Sequence, residues 1–266
     1  NKRAMIALVI FLIIALMAIF GPMISPYSYD GMDTAIMNQR PSTAHWFGTD
    51  RFGRDLFTRV LYGARISLMV GIVTAVINTI IGVIYGGIAG YVGGRVDMWM
   101  MRLTDILYSI PELLYIILIM LIFGSNVRSI IIGVCVAGWI SMARMVRSQI
   151  ITLKEQEFAL AAFVLGANSR RILFKHLIVN SLGTIIVTVT LMIPQAIFME
   201  AFLSFVGVGI SAPMASLGTL AQDARTYLEI FPYQMLFPVA AICVTIFSLN
   251  FIGEGLNSAL NPKGKR

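Results

Sequence analysis

The sequence predicts an all-α integral membrane protein with about six transmembrane helices. Hydrophobic residues make up 58% of its 266 residues, whereas charged residues make up only 12%. A soluble domain of this length cannot cover so much apolar side chain. The apolar residues also fall in runs long enough to cross a bilayer, with charges at their edges. These observations exclude a soluble globular protein, and the scattered charges exclude a basic nucleic-acid groove despite the net charge of +7.

Six apolar runs define the predicted spans. The first follows Lys2 and Arg3 and is too long for a signal peptide. Because the chain begins at Asn1 rather than Met, we expect a short N-terminal piece before it. The spans are predicted at Ala4–Ile24, Ile66–Gly94, Met98–Phe123, Ser129–Met145, Leu177–Val206 and Tyr233–Phe251. This pattern divides the chain into residues 1–65, a span plus an extracytoplasmic segment, and a five-span core of residues 66–266.

Positively charged residues indicate the orientation of these spans. A cytoplasmic N-terminus places 13 of the 20 Lys and Arg residues on inner segments and 7 on outer ones. Because cytoplasmic loops carry an excess of Lys and Arg, we expect both termini on the cytoplasmic side. The inner set includes Lys263, Lys265 and Arg266. The same orientation places a loop at about residues 148–178 in the cytoplasm.

Small residues recur along one face of the second predicted span. They are Ser67, Gly71, Ala75, Thr79, Gly82, Gly86, Gly90 and Gly94. Glycines four residues apart stack on one side of a helix and let another backbone approach closely. The stripe predicts either a static packing seam or the lining of a moving interface, and the sequence does not decide between them.

The segment from Glu157 to Asn180 is a charged connection between two apolar runs. An apolar face at helical spacing is formed by Phe158, Ala161, Ala162 and Leu165. The next glycine supplies the left-handed conformation that ends a helix, and a polar residue behind it can cap a second, basic helix. These residues are Gly166, then Asn168 or Ser169, then Arg170, Arg171 and Lys175. The small apolar face suits a groove in a partner protein, and it equally suits the lipid headgroup layer.

This segment resembles the signature loop of the permease subunits of ABC importers. That loop has two alanines, three further residues and a glycine, as at Ala161, Ala162 and Gly166. Three other regions resemble the oligopeptide/dipeptide/nickel branch, and in particular its second permease, which carries an extra N-terminal span. They are His45–Asp50 with Gly53–Asp55, Tyr62–Arg65, and Glu200–Gly207 at the end of the fifth span.

The resemblance implies a type I importer permease fold in a bacterial or archaeal cell membrane. It implies one half of a translocation pathway, completed by a second permease as a heterodimer. Two ATPase subunits and an extracytoplasmic binding protein are the further expected partners, besides membrane lipid. The implied cargo is an oligopeptide or dipeptide, with nickel or another small solute as the alternative. The residues implied in coupling to the ATPases are Glu157, Phe158, Ala161, Ala162, Gly166, Arg170 and Arg171.

The sequence carries no motif for chemistry of its own. Gly264-Lys265 is followed by Arg266 and has no strand before it, unlike a phosphate-binding loop. We therefore expect no enzymatic activity, no catalytic residue and no metal or cofactor site, with ATP and Mg²⁺ bound by partner subunits. An ion-coupled secondary transporter is the competing class, but it predicts internal repeats and paired ionisable residues in broken helices. A membrane enzyme needs a reactive constellation, which the sequence lacks.

Two glutamates in predicted spans are candidates for the pathway. Glu112 follows Pro111 in the third span, and Glu200 lies near the outer end of the fifth. An ionised group inside a membrane is costly unless it is paired or hydrated, so each predicts either a structural pair or a pathway wall.

Charged residues of the outer segments are candidates for docking a binding protein. They lie within residues 45–65 and 207–232 and are Asp50, Arg54, Asp55, Asp223 and Arg225. The alternative for these segments is a lid that packs only on its own spans.

Overall fold

A computed structural model describes residues 2–260, so the predicted inner charges at Lys263, Lys265 and Arg266 lie outside the described residues. The regular structure of this part is helical, apart from an isolated bridge between Thr49 and Asp55. A short 3-10 turn covers Thr34–Ile36, and a π-helical turn covers Ile172–Leu177. The α-helices are α1 Lys2–Ile24, α2 Leu56–Val92, α3 Gly94–Tyr108, α4 Glu112–Phe123, α5 Val127–Ala137, α6 Trp139–Lys154, α7 Glu157–Val164, α8 Ser169–Arg171, α9 Ile178–Val206, α10 Leu217–Arg225 and α11 Tyr233–Leu260.

Five helical stretches are long and apolar enough to cross a membrane. They are α1, α2, the α5–α6 pair, the stretch from α8 through α9, and α11. A sixth crossing is the pair α3 and α4, which bend by 74° at the break between them. This confirms the predicted all-α membrane architecture of about six spans, although the third span is not the continuous helix that the sequence predicted.

Pro111 explains the break in the third span. Proline has no backbone N–H and its ring clashes with the preceding turn, so a helix ends before it. The α3 helix ends at Tyr108, and Pro111 adopts an extended conformation immediately before α4. The predicted single helix over Met98–Phe123 is therefore wrong in detail. The apolar residues continue through this region, but Pro111 prevents the helix from doing so.

Contacts at the two ends of the bundle show that α3 and α4 together cross it. At one end, Arg147 in the second half of α6 pairs with Asp97 at the start of α3. At the other end, the backbone N–H of Ser211 donates to the carbonyl of Ser125, just before α5. Six crossings return the chain to its starting end, where α11 passes Ala4 of α1 at Gly255. The first and last described residues therefore lie at the same end as α7, which we call the α7 end; the opposite one is the α10 end.

The α2 helix starts ten residues earlier than the sequence predicted. Asp55 caps it by accepting a hydrogen bond from the backbone N–H of Thr58 at 2.8 Å, so the helix begins at Leu56 rather than Ile66. The sequence did not predict this start because the first turns of α2 carry charged residues, and hydropathy marks only the apolar part of a span. The boundary drawn at residue 65 falls inside a continuous helix, and the α1–α2 segment comprises residues 25–55.

The glycine stripe of α2 forms a packing seam with α6. A β-carbon at Gly82, Gly86 or Gly90 would collide with Met142, with the backbone of Ala143, or with Arg147 and Ile150. Nearer the start of α2, Gly71 gives the same close approach to Ile193 and Ile197 of α9. Gly94 contributes nothing to the seam, because a β-carbon there meets open space. Within this chain, the packing interpretation of the stripe is the one that the structure supports.

Candidate functional site

The α7 helix lies across the α7 end of the bundle with one narrow face buried. Ala159 and Ala162 are buried against a cluster that includes Ile172, Leu173 and Leu177. Small side chains at these two positions let α7 lie close to the π-helical turn. The π-helical turn leads directly into α9, so a displacement of α7 would move the start of α9.

The outward face of α7 is apolar and uncovered by this chain. Leu160, Phe163, Val164 and Leu165 are 54%, 69%, 83% and 87% exposed. The predicted face of Phe158, Ala161, Ala162 and Leu165 is correct for three residues and wrong for Ala162, which points inward. The error arose because α7 is apolar on nearly every side, so spacing could not distinguish the two faces.

Gly166 makes the corner that the sequence predicted. Its φ is +81°, in the left-handed region, and its N–H donates to the carbonyl of Phe163 at 3.0 Å. Glycine adopts this conformation without steric cost, which explains why α7 can stop here. The side chain of Asn168 then caps α8 by accepting a hydrogen bond from the N–H of Arg171 at 2.8 Å. Asn168, rather than Ser169, is therefore the cap.

Three charged residues surround this corner. Glu157, Arg170 and Arg171 are all exposed, and their side chains make no ion pair with any residue between 2 and 260. The structure thus brings together, on one surface, the apolar face of α7, the glycine corner and three charges with free hydrogen-bonding groups. This surface, of residues 157–171, is named the coupling face after the role that the resemblance implies for it.

At the α10 end, four charged side chains form a cluster, and three of them are buried. Asp50 accepts from Nε of Arg54 at 2.6 Å, and Nε of Arg59 lies 3.6 Å from the same carboxylate. Asp223 of α10 lies 3.6 Å from both arginines. Arg59 also donates to the carbonyl of Tyr29 at 3.2 Å. The cluster connects the α1–α2 segment to the first turns of α2 and to α10.

Asp55 belongs to a second buried polar group beside it. One carboxylate oxygen pairs with Nδ1 of His45 at 2.9 Å, and the other accepts from Thr58 as the α2 cap. Asp50, Arg54 and Asp55 are therefore buried, whereas the docking role predicted for them requires accessible side chains. These charged residues lie around the buried start of α2. Burying an unpaired charge is costly, so their pairing with each other lowers the cost of burial. Asp223 is about one-third exposed, and Arg225 is exposed over the ring of Phe205.

A cavity of about 690 Å³ opens midway along the bundle. Its walls come from α2, the start of α4, the α5–α6 junction, α9 and α11. Glu112, the first residue of α4, lines it and makes no hydrogen bond or ion pair with any residue between 2 and 260. Of the two interpretations for Glu112, the described part of the chain supports the cavity wall and offers no structural partner.

Glu200 does not line this cavity. It is fully buried in α9 and accepts hydrogen bonds from Ser67 of α2 at 2.6 Å and from Ser204 at 2.8 Å. Of the two interpretations for Glu200, the described residues support the structural one, a polar tie between α2 and α9. Burial inside the helix bundle explains the hydroxyl partners, because a carboxyl group there needs hydrogen-bond donors.

Comparisons with known proteins match this architecture. Residues 82–266 match the family described as "Binding-protein-dependent transport system inner membrane component", which is more than half of the chain. The chain belongs to this family. Residues 1–41 also match the N-terminal transmembrane domain of oligopeptide transport permease C. The family match begins within α2, and the second match covers α1 and the first part of the α1–α2 segment.

Individual relatives of this permease align over its full length. The oligopeptide transport system permease protein OppC of Bacillus subtilis is 49% identical over 99% of this chain and 86% of its own length. The dipeptide transport system permease protein DppC of the same organism is 48% identical over 100% of this chain and 83% of its own length. The oligopeptide transport system permease protein OppC of Escherichia coli is 46% identical over 100% of this chain and 88% of its own length.

Two residues were not predicted as site residues, one in the charged cluster and one in the cavity wall. Arg59 was assigned to an outer loop, yet it is 2% exposed within α2 and completes the charged cluster. Asn78 was not identified at all, although it lines the cavity and is 3% exposed. The available signal for Asn78 was a lone amide in the middle of an apolar span, where a polar side chain needs a partner or water.

Proposed function

We propose that this chain is one of two permease subunits of an ATP-driven importer of oligopeptides or dipeptides. The relatives' names, peptide transport permeases at 45–49% identity, support the cargo class. In this proposal a second permease supplies the other wall of the pathway as a heterodimer. Two ATPase subunits bind ATP and Mg²⁺, and an extracytoplasmic binding protein delivers the peptide.

The observation that carries the proposal is the coupling face. A short helix with an uncovered apolar side, ended by a left-handed glycine and flanked by unpaired charges, fits an apolar groove on a partner protein. Its inner side packs on the turn that begins α9. Movement of an ATPase subunit would thus reach α9 through a small number of packed side chains. Glu157, Arg170 and Arg171 are positioned to fix the orientation of that docking.

The proposal places the α7 end in the cytoplasm of a bacterium or archaeon, with the chain as a multi-pass protein of the cell membrane. Six crossings put both described ends of the chain on one side, and the excess of Lys and Arg favours that side as cytoplasmic. On the opposite face, α10 and the α1–α2 segment form the surface for the binding protein. Arg225, the partly exposed Asp223 and the exposed Trp46 lie on these elements.

A cross-linking experiment tests the coupling face. Cys135 and Cys243 are first replaced by serine in the full complex, since both are free thiols. In that background, Leu165→Cys is expected to cross-link to an ATPase subunit through a bifunctional maleimide. The matched control is Trp46→Cys, which is also exposed but lies at the α10 end. Cross-linking of the ATPase subunit from position 46, or none from position 165 in a transporting complex, contradicts the proposal.

Uptake measurements test the cargo. Proteoliposomes containing the whole complex, with binding protein outside and ATP inside, are expected to accumulate radiolabelled di- or oligopeptides. Accumulation of nickel without any peptide uptake would support the alternative cargo instead.

A further inference from the structure

Among the described residues, the midway cavity is lined by one acidic side chain and by no basic one. The acidic side chain is that of Glu112. The remaining polar groups are neutral, namely Asn78, Tyr108, Ser141, Gln195 and Asn250. The other lining residues are apolar or glycine. The electrostatic character of this wall is therefore set by a single side chain.

Glu112 occupies the start of a helix. It is the first residue of α4, where the N–H groups of the opening turn have no partners within the helix. These groups give the helix start a partial positive charge, which stabilises a carboxylate. No cation of the described chain neutralises this carboxylate. A positive group that enters the cavity could therefore pair with the carboxyl group of Glu112.

Asn78 is a second, independent sign of a binding surface. Its carbonyl oxygen Oδ1 is buried beside the cavity and has no hydrogen-bond partner among the described residues. An unsatisfied buried acceptor costs about 1–3 kcal/mol, so a rotation of this amide toward a donor in the cavity is favourable. An ammonium group or a peptide N–H would be such a donor. Glu112 and Asn78 thus both offer acceptors to the cavity.

We propose that Glu112 and Asn78 receive the cationic group of the cargo, the amino terminus or a basic side chain of a peptide, as it passes through the cavity. The inference rests on the proposed function, because it treats the cavity as part of the peptide pathway. Glu112 at the start of α4 supplies the acidic group, and Asn78 of α2 supplies a neutral acceptor in the same cavity. Peptides with a positive group are transported in preference to otherwise identical neutral ones.

Paired peptides in the reconstituted complex test this selection. Two tripeptides with acetylated amino termini, one with a central Lys and one with a central Gln, are compared in wild type and in Glu112→Gln. Because the binding protein is unchanged, its own preference cancels in the comparison between the two permeases. The Lys-to-Gln uptake ratio is expected to fall several-fold in Glu112→Gln and to recover in Glu112→Asp. The control Glu254→Gln removes an exposed carboxylate of α11 outside the cavity and is expected to leave the ratio unchanged.

The possible outcomes separate this inference from the function on which it rests. An unchanged ratio in Glu112→Gln, with peptide-stimulated ATPase activity intact, overturns the charge selection while the permease assignment stands. Loss of complex assembly in Glu112→Gln also overturns it, because the residue then has a structural role. Failure of wild type to transport any peptide defeats the proposed function itself.

A charge reversal, Glu112→Lys, is expected to favour a peptide with a central Glu.

Discussion

Gly86 of α2 lies directly against the backbone of α6, where a β-carbon would overlap the carbonyl oxygen of Ala143. Backbone atoms cannot move away as a flexible side chain can, so even one methyl group must separate the two helices. Gly87, its neighbour, faces the methyl groups of Leu173 and Ile178, and a β-carbon there would lie 3.6 Å from each. Two adjacent glycines thus differ completely in the space that they have.

We therefore predict opposite results for two alanine substitutions. Gly86→Ala is expected to lower the stability of the bundle by about 1–3 kcal/mol, because overpacking forces the helices apart. Gly87→Ala is expected to be neutral or slightly stabilising, since alanine is the better helix former and the new methyl makes ordinary contacts. Thermal unfolding of the purified complex in detergent measures both. Equal midpoints for the two variants would show that the α2–α6 seam is not tightly packed.

A second prediction concerns the corner of the coupling face. Gly166→Val is expected to abolish stimulated ATPase activity, because a β-branched residue at φ +81° costs about 1–3 kcal/mol of strain and displaces α7. No atom lies within 4 Å of a β-carbon at this position, so the effect is conformational rather than a clash. Gly166→Asn is the control, since asparagine tolerates the left-handed region, and it is expected to retain most activity. Loss of activity in both variants would point to a need for space, such as a close approach of the partner.

A third prediction concerns the charged cluster at the α10 end. Asp50→Asn removes the counter-charge shared by Arg54 and Arg59, which are both buried. Breaking a buried pair while leaving the other charge in place costs about 3 kcal/mol or more. We expect a lower unfolding midpoint and faster proteolysis of residues 25–55. The exposed Asp30→Asn serves as the control, and a similar loss in that variant would contradict the assignment of the effect to the cluster.

A fourth prediction separates the two membrane glutamates. Glu200→Ala leaves the hydroxyl groups of Ser67 and Ser204 without their acceptor and is expected to cost about 1–3 kcal/mol of stability. Glu112→Ala removes no internal hydrogen bond and is expected to fold normally, with altered transport. Unfolding midpoints and uptake per folded complex give the two readouts. Normal stability of Glu200→Ala together with a transport defect would restore Glu200 to the pathway.

Local signals predicted the backbone of this protein well. The apolar runs located six crossings, Gly166 marked a helix end, and Asn168 was one of two caps proposed. Each of these depends on residues close in sequence. The start of α2 was misplaced because Asp55 caps a helix whose first turns carry charge, and the third span was predicted unbroken despite Pro111.

What the sequence determined by itself is the class of the protein, its crossings and the helix corner at Gly166, because hydropathy, glycine conformation and a contiguous motif are all local properties. The tertiary structure decided which polar residues are available. Glu200 meets Ser67 across 133 positions of sequence, and Asp223 reaches Arg59 from a different helix. Among residues 2–260, Glu112 meets no such partner, and it faces the cavity instead. Whether a charge is paired, buried or free depends on which distant segments pack against it, and the spacing of residues along the chain does not contain that information.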